Sequence, residues 1–189
     1  MDSSKRAWAY EGLALADGMG LVSYLAEVMA ARPTTGLADW RLVLFGDELA
    51  MGLSTPLAQL AIDHVDFAWL GRRGSGPADW HGEWVALFLA AVPAPAVYLA
   101  AFRWPPVPPL GAMAAVEQQV EAVGAHMVWL APPAARLGTG SDNLARRGVH
   151  VLDSADFDVQ LGPPGPDGRQ DPTTVGYAAW AGAVWSWLG

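Results

Sequence analysis

The stretch that decides the fold is residues 41–50, which reads RLVLFGDELA. Its first six residues, Arg41–Gly46, are mostly apolar, and two carboxylates, Asp47 and Glu48, follow directly. Four similar short apolar runs lie further along the chain, at Asp66–Gly71, Ala96–Phe102, His126–Ala131 and Val149–Leu152. Their hydrophobicity is continuous rather than alternating, which is typical of parallel strands covered on both faces. The sequence therefore predicts a five-stranded parallel sheet.

Segments with helical periodicity fill the gaps between these runs. After the first run, Leu53, Leu57, Leu60 and Ala61 share one helical face, and Ser54 is the expected N-cap, with Pro56 in the first turn. Further helices are expected at Asp79–Ala91, from Met113 to Val123 with Gly124 closing it, at Ser141–Arg147 and at Thr173–Leu188. Strands that alternate with helices predict a doubly wound, flavodoxin-like α/β sheet with helices on both faces.

Composition narrows the functional classes. The chain has 189 residues, of which 52% are hydrophobic and 16% charged, so it can bury a full core. Its net charge of −8 argues against nucleic-acid binding and against a basic surface held on anionic lipid. It has no cysteine, which excludes disulfides, thiol nucleophiles and cysteine-bound metals.

Residues 1–36 precede the first predicted strand and the predicted α/β domain, residues 37–189. We expect them to form a partly helical arm that covers a face of the sheet or docks onto a neighbouring subunit. Glu11, Asp17 and Glu27 interrupt their apolar residues, so we expect neither a signal peptide nor a membrane span. The expected location is the cytoplasm or an assembled particle.

Ligand crevices of doubly wound sheets lie beyond the carboxyl ends of the strands. The residues that follow the predicted strands are therefore the first candidates for a site. They are Asp47, Glu48, Arg72, Arg73, Gly74, Ser75, Gly76, Arg103, Trp104 and Asp153, and the loop before the last helix adds Asp167 and Asp171.

Two of these places resemble a known family. Residues 45–49, FGDEL, resemble the Gly-Asp-Ser-Leu block of the SGNH/GDSL hydrolases. Residues 168–177, GRQDPTTVGY, resemble that family's closing block, in which an Asp and a His three residues apart precede Pro-Thr and a Gly-Tyr-x-x-Trp-type helix. The resemblance covers roughly residues 40–188 and implies the same α/β fold.

The family's reactive residues are missing at the matching positions. The nucleophilic Ser falls on Glu48, the His falls on Asp171, and the Asp falls on Gly168, unless Asp167 serves after a one-residue slip. The oxyanion-binding Gly would be Gly74 or Gly76, but Arg103 and Trp104 stand where the second donor, an Asn, is expected. Serine esterase chemistry needs an activated hydroxyl and an oxyanion hole. The resemblance therefore implies a degenerate member with no catalytic residues.

Glu48 and Asp171 leave three interpretations open. Glu48 can pair with Arg72, Arg73 or Arg103 and close the crevice, which is the interpretation that we favour. The carboxylates Asp47, Glu48 and Asp171 can instead hold a hard cation, or Glu48 and Asp171 can do acid/base work on a glycosidic bond. We expect no cofactor and no metal, and we expect the four histidines not to form a site. Among the serines, Ser54 and Ser141 are expected to be helix caps, and Ser75 lies in a Gly-rich turn.

The ten tryptophans are more than one core of this size needs. Trp69 and Trp129 are expected in the core, and Trp180 and Trp187 against the sheet. A freer set is Trp8, Trp40, Trp80, Trp84, Trp104 and Trp185, of which we single out Trp8, Trp80, Trp104 and Trp185 as candidate binding residues. We favour a protein interface over sugar stacking for this set.

The leading hypothesis is a non-catalytic SGNH-hydrolase-like module with a structural or protein-binding role. Its partner would be another protein or further copies of itself, and a component of a bacteriophage particle is one concrete version. The first alternative is an active hydrolase of an ester or glycan that uses Glu48 and Asp171, supported by Asp47 or Arg103. The second is a carbohydrate-binding domain that uses Trp80 and Trp104.

Overall fold

The protein's structure, a computed structural model, describes residues 8–11, 41–61, 63–82, 85–86, 89–90, 96–105, 108–133 and 149–189. The strands of these ranges are β1 (Trp8–Glu11), β2 (Arg41–Gly46), β3 (Asp66–Gly71), β4 (Ala96–Ala101), β5 (His126–Leu130) and β6 (Val151–Leu152). The helices that lie wholly within these ranges are α1 (Glu48–Ala61), α2 (Pro77–Trp80), α3 (Leu110–Glu121) and α4 (Thr174–Leu188).

The strands form one sheet in the order β1-β3-β2-β4-β5-β6, and every pair is parallel. The five predicted strands and the doubly wound α/β fold are thus confirmed. A sixth strand, β1, joins the edge beside β3 and comes from the segment that we expected to be an arm. The rest of that segment lies outside the described residues.

Two hydrophobic layers cover the sheet. On one face, Leu42, Leu44 and their neighbours pack against the buried stripes of α1 and α4, with Trp180 fully buried between them. On the other face, Val43, Phe45 and their neighbours pack against α2 and α3. Because successive side chains of a strand point to opposite faces, both faces need apolar residues, and this explains the continuous hydrophobic runs.

The start of α1 differs from the prediction. The helix begins at Glu48 and not after Ser54, because the Asp47 side chain caps it by accepting a hydrogen bond from the Leu49 amide (2.9 Å). Ser54 is buried inside the helix and donates to the carbonyl of Met51 (2.7 Å), while Pro56 also lies within it. The helix therefore presents its first turn to the carboxyl edge of the sheet.

The structure agrees with some of the other predicted helices and differs from one of them. The third and the last are present as α3 and α4, and Thr173 caps α4 by accepting a hydrogen bond from the Gly176 amide (3.1 Å). The second begins earlier than predicted, as α2, which ends at Trp80 because His81 has extended backbone angles. Residues 85, 86, 89 and 90, which lie within the predicted range, are helical again. The predicted helix at Ser141–Arg147 lies outside the described residues. Within the described ranges, no helix combines the length and apolar character needed to cross a membrane.

Candidate functional site

The strand order reverses at β2, which lies between β3 and β4. The register places Gly46, the last residue of β2, opposite Gly71 of β3 and Ala101 of β4. The residues that follow these strands therefore meet at one place on the carboxyl edge, where ligand crevices of such sheets are found.

Asp47 is the buried member of this group, with 2% of its surface exposed. One of its carboxylate oxygens accepts the Leu49 amide, and the other accepts the Arg103 amide at 2.7 Å. Its own amide donates to the carbonyl of Ala101 (3.2 Å). Burial raises the pKa of Asp47 to about 6, against the two amide hydrogen bonds, which act to lower it. Asp47 thus joins the end of β2 to the end of β4, and both of its oxygens are engaged in that role.

Glu48 points toward the loop that follows β3. One oxygen of its carboxylate accepts the backbone amide of Gly74 at 3.2 Å. Gly74 adopts a φ of 68°, a left-handed conformation that favours glycine. Gly74 is one of the two glycines, with Gly76, that the resemblance offers as an oxyanion donor, and its amide is directed at a side chain of the protein itself.

Arg103 links Glu48 to Asp171. Its Nη1 atom lies 3.4 Å from Oε2 of Glu48, and its Nε donates to Oδ1 of Asp171 at 3.0 Å. Its Nη2 also contacts Oδ2 of Asp171, so the guanidinium and this carboxylate form a bidentate pair. The hydrogen bond and charge of Asp171 raise the pKa of Arg103 above its usual value, against burial, which acts to lower it, so the guanidinium stays charged.

The loop before α4 positions Asp171. The Asp171 carbonyl accepts the Gly162 amide (2.8 Å), and the Thr173 amide donates to the carbonyl of Gln160 (2.9 Å). Pro172 forms an isolated bridge with Leu161 between these two contacts. Asp171 therefore enters the site from a short paired segment rather than from a free loop.

The sequence predicted which residues gather here but left their pairing open. Of the three arginines expected near Glu48, Arg103 is the one within ion-pair distance in the described part of the chain. Asp167 is not part of the group, because it accepts the Arg169 amide (3.1 Å) and lies on an exposed turn. Ser75 has a structural role, since its hydroxyl donates to the Arg72 carbonyl (2.7 Å) and accepts the indole N–H of Trp80 (3.0 Å).

The expected exposure of two candidate binding residues is wrong. Trp80 and Trp104 are 3% and 8% exposed and belong to the core layer under α2 and α3. The ring of Trp80 packs beside those of Phe45 and Phe102, and the distances between ring centroids are 5.1 and 6.2 Å. Trp8 is described only by its backbone in β1, and Trp40 and Trp84 lie outside the described residues.

The last helix carries the exposed indole instead. Trp187, expected to pack on the sheet, is 52% exposed, while Trp185 is half-buried with its ring 5.5 Å from that of His64. Trp69, Trp129 and Trp180 are buried as predicted. Both Trp185 and Trp187 line a groove of about 1130 Å³ at the amino ends of the strands, opposite the Asp47 edge. Its walls are largely apolar and include Val65, Val97, Val128, Val149, Val151 and Leu188.

A second polar group at that end of the sheet was missed by the sequence analysis. Glu117 and Glu121 of α3 and His150, just before β6, bring one ligand atom each to within 4.8 Å of one another. Glu117 is 1% exposed. The signal was present, because Glu117 interrupts the otherwise apolar buried stripe of Met113, Val116 and Val120. His150 came from a separate strand, which sequence spacing alone does not join to α3.

No family model matches the chain, and no curated protein matches it.

Proposed function

We propose that this chain is a non-catalytic SGNH-hydrolase-like module with a structural or protein-binding role. The observation that carries the proposal is the guanidinium of Arg103, which contacts both Glu48 and Asp171. These are the positions at which the resemblance expects a nucleophile and its base. An internal ion-pair network at this point supports a crevice that is closed by the protein's own side chains.

At each position where the resemblance expects a group of a serine esterase site, this chain has a group that cannot perform the same role. The nucleophile position holds Glu48, whose carboxylate has no proton to be activated as a hydroxyl has. The Gly74 amide, a candidate oxyanion donor, is engaged by Glu48 itself. Arg103 stands where the second donor is expected and neutralises the carboxylates beside it. The loss of all three parts favours a fold retained without its reaction.

The hydrolase alternative would use Glu48 and Asp171 on either side of a substrate bond. The guanidinium of Arg103 fills the space between these two carboxylates, because it contacts both at once. The third carboxylate, Asp47, has both oxygens engaged by backbone amides. None of the three is left facing a substrate, so this alternative has less support.

The binding role has its best support at the amino ends of the strands. Trp187 is exposed and, like Trp185, lines the apolar groove, and exposed aromatic residues are enriched at protein interfaces. The carbohydrate-binding alternative is weakened, because Trp80 and Trp104, its two stacking residues, are buried. We propose that copies of this chain associate through the Trp187 surface.

Sedimentation velocity over a concentration series tests this association. Wild-type protein should show a sedimentation coefficient that rises with concentration, and Trp187→Ser should remove the rise. Val175→Ser is the matched control, because Val175 is 67% exposed on the first turn of the same helix. A wild-type protein that stays monomeric at every concentration would contradict self-association.

The finer version, a component of a large particle such as a bacteriophage, makes a separate prediction. Protein isolated from its natural source should then be recovered within a particle far larger than a small oligomer. Recovery only as a free monomer or small oligomer would contradict that version.

A further inference from the structure

The three residues Glu117, Glu121 and His150 lie away from the network of Arg103, Glu48 and Asp171 and are not used by it. Glu117 and Glu121 are four residues apart on α3 and therefore share one face of the helix. His150 approaches that face from the neighbouring segment that leads into β6. The ligand atoms of all three lie within 4.8 Å of one another.

Backbone hydrogen bonding holds this group together. The His150 amide donates to both oxygens of Glu117, at 3.0 and 3.3 Å. The Nδ1 atom of His150 contacts Oε1 of Glu117 and lies 3.5 Å from Oε1 of Glu121. One nitrogen and two carboxylates from two separate segments thus converge on a common point.

Charge and burial distinguish this group from a chance surface cluster. The Glu117 side chain is 1% exposed, whereas those of Glu121 and His150 are 47% and 67% exposed. A carboxylate held away from water needs a compensating positive charge, and a neighbouring second carboxylate increases that need. Glu121 and His150 also line the amino-end groove, so the group opens on one side to solvent.

We propose that Glu117, Glu121 and His150 form a binding site for one divalent transition-metal ion of the zinc class. The imidazole nitrogen favours such an ion over Ca²⁺ or Mg²⁺, which prefer sites built only from oxygen. Three protein ligands leave at least one coordination position for water or another ligand, and the groove provides access to it. The bound ion would also fasten α3 to the segment that enters β6.

The competing account is a clamp without an ion, in which His150 serves only as a hydrogen-bonding partner of Glu117. The two accounts differ in what added metal does. An ion-free clamp predicts no saturable uptake of Zn²⁺ that depends on the His150 ring, whereas the metal site predicts one ion for each chain.

The test is isothermal titration calorimetry of the full chain, treated with EDTA and then desalted, with ZnCl₂ as the probe. Wild-type protein should bind one Zn²⁺, and its melting temperature should rise when Zn²⁺ is added. His150→Asn and Glu121→Gln should each weaken binding by about tenfold or more, because even the outer partners of metal ligands are worth that much. Both side chains are partly exposed, so these variants should still fold.

His81→Asn is the matched control, since His81 is an exposed histidine that is not part of the group. It should bind Zn²⁺ as the wild type does. Absence of saturable Zn²⁺ binding, or equal binding by wild type and His150→Asn, would overturn the proposal. Binding of CaCl₂ as tightly as ZnCl₂, with no dependence on His150, would overturn the assigned class of ion.

Discussion

Arg103 and Asp171 are joined by two contacts between one guanidinium and one carboxylate, although 68 residues separate them in the chain. A third nitrogen of the same guanidinium lies 3.4 Å from Glu48. A bidentate pair of this kind fixes the relative orientation of the two side chains and also neutralises their charges. One side chain from the end of β4 therefore fastens the first turn of α1 and the loop before α4.

This arrangement predicts a measurable loss of stability in Arg103→Met. We expect its free energy of unfolding at pH 7 to fall by about 1–2 kcal/mol, because two partly exposed ion pairs disappear and Glu48 is left facing Asp171. Urea denaturation at low and high salt measures the loss, which should shrink as salt screens the carboxylates. Arg73→Met, at an exposed arginine, is the control and should match the wild type. Equal stability of Arg103→Met and wild type would contradict the bridging role.

The buried Asp47 carboxyl predicts a pH-dependent stability. Burial raises its pKa from 3.8 to about 6, so the folded state holds this proton more tightly than the unfolded state does. Its contribution to stability is therefore fully present below about pH 4 and is lost as the pH rises through 6. The difference in unfolding free energy between wild type and Asp47→Asn should fall by about 2–2.5 kcal/mol from pH 4 to pH 7.

Urea denaturation of both proteins at several pH values measures this difference. Asp158→Asn is the control, because it removes an exposed carboxyl and leaves that of Asp47 in place. When both proteins also carry Asp158→Asn, the difference in unfolding free energy between them should still fall with rising pH. A difference that stays constant, or grows, between pH 4 and pH 7 would contradict the buried carboxyl as its source.

Gly46 predicts a strong effect of a single methyl group. A Cβ at this residue would lie 1.8 Å from the carbonyl oxygen of Ala101, and its φ of 152° is one that other residues rarely adopt. Gly46→Ala should therefore lower the free energy of unfolding by about 3 kcal/mol or more. Gly182→Ala, in open space within α4, should raise it by about 0.5–1 kcal/mol. Thermal or urea unfolding of the two variants checks the contrast, and similar changes in both would be inconsistent with the close approach of β2 to β4.

The family resemblance predicts that ester hydrolysis can be restored. In Glu48→Ser combined with Arg103→Asn and Asp171→His, a Ser, an Asn and a His return at the positions that match the family. We expect p-nitrophenyl acetate hydrolysis roughly 100-fold above that of Glu48→Ser alone, the lower end of what a positioned general base contributes. Circular dichroism confirms that both variants are folded before rates are compared. Equal rates in two folded variants would count against the resemblance.

Most of the sheet could be predicted because buried parallel strands leave a direct pattern in the sequence. The run Arg41–Gly46 is apolar at nearly every position since each of its faces meets a helix layer. The strand β1 was missed although Trp8, Ala9 and Tyr10 form a short apolar run, because so short a run cannot be told from a helical segment by periodicity alone. The start of α1 was misplaced because Ser54 and Asp47 are both common capping residues, and only the fold shows that Asp47 accepts the capping bond.

Residues that meet at strand ends were predicted, whereas residues that meet through side-chain packing were not. Asp47, Glu48 and Arg103 converge because parallel strands end at one edge, which the strand assignment already implied. Asp171 follows no strand of the sheet, and only the family resemblance placed it beside Glu48. The burial of Trp80 of α2 depends on its contacts with Phe45 of β2 and with Phe102, which directly follows β4. Likewise, Glu117 meets His150 only across the packing of α3 beside β6.

Turnover by the purified full chain on activated esters and chromogenic glycosides tests the central claim most directly. If Arg103 closes the crevice on Glu48 and Asp171, the wild type, Glu48→Gln and Asp171→Asn should all show the rate of buffer alone at every substrate concentration. Saturable turnover by the wild type that falls in either variant would contradict the account and identify these carboxylates as working groups.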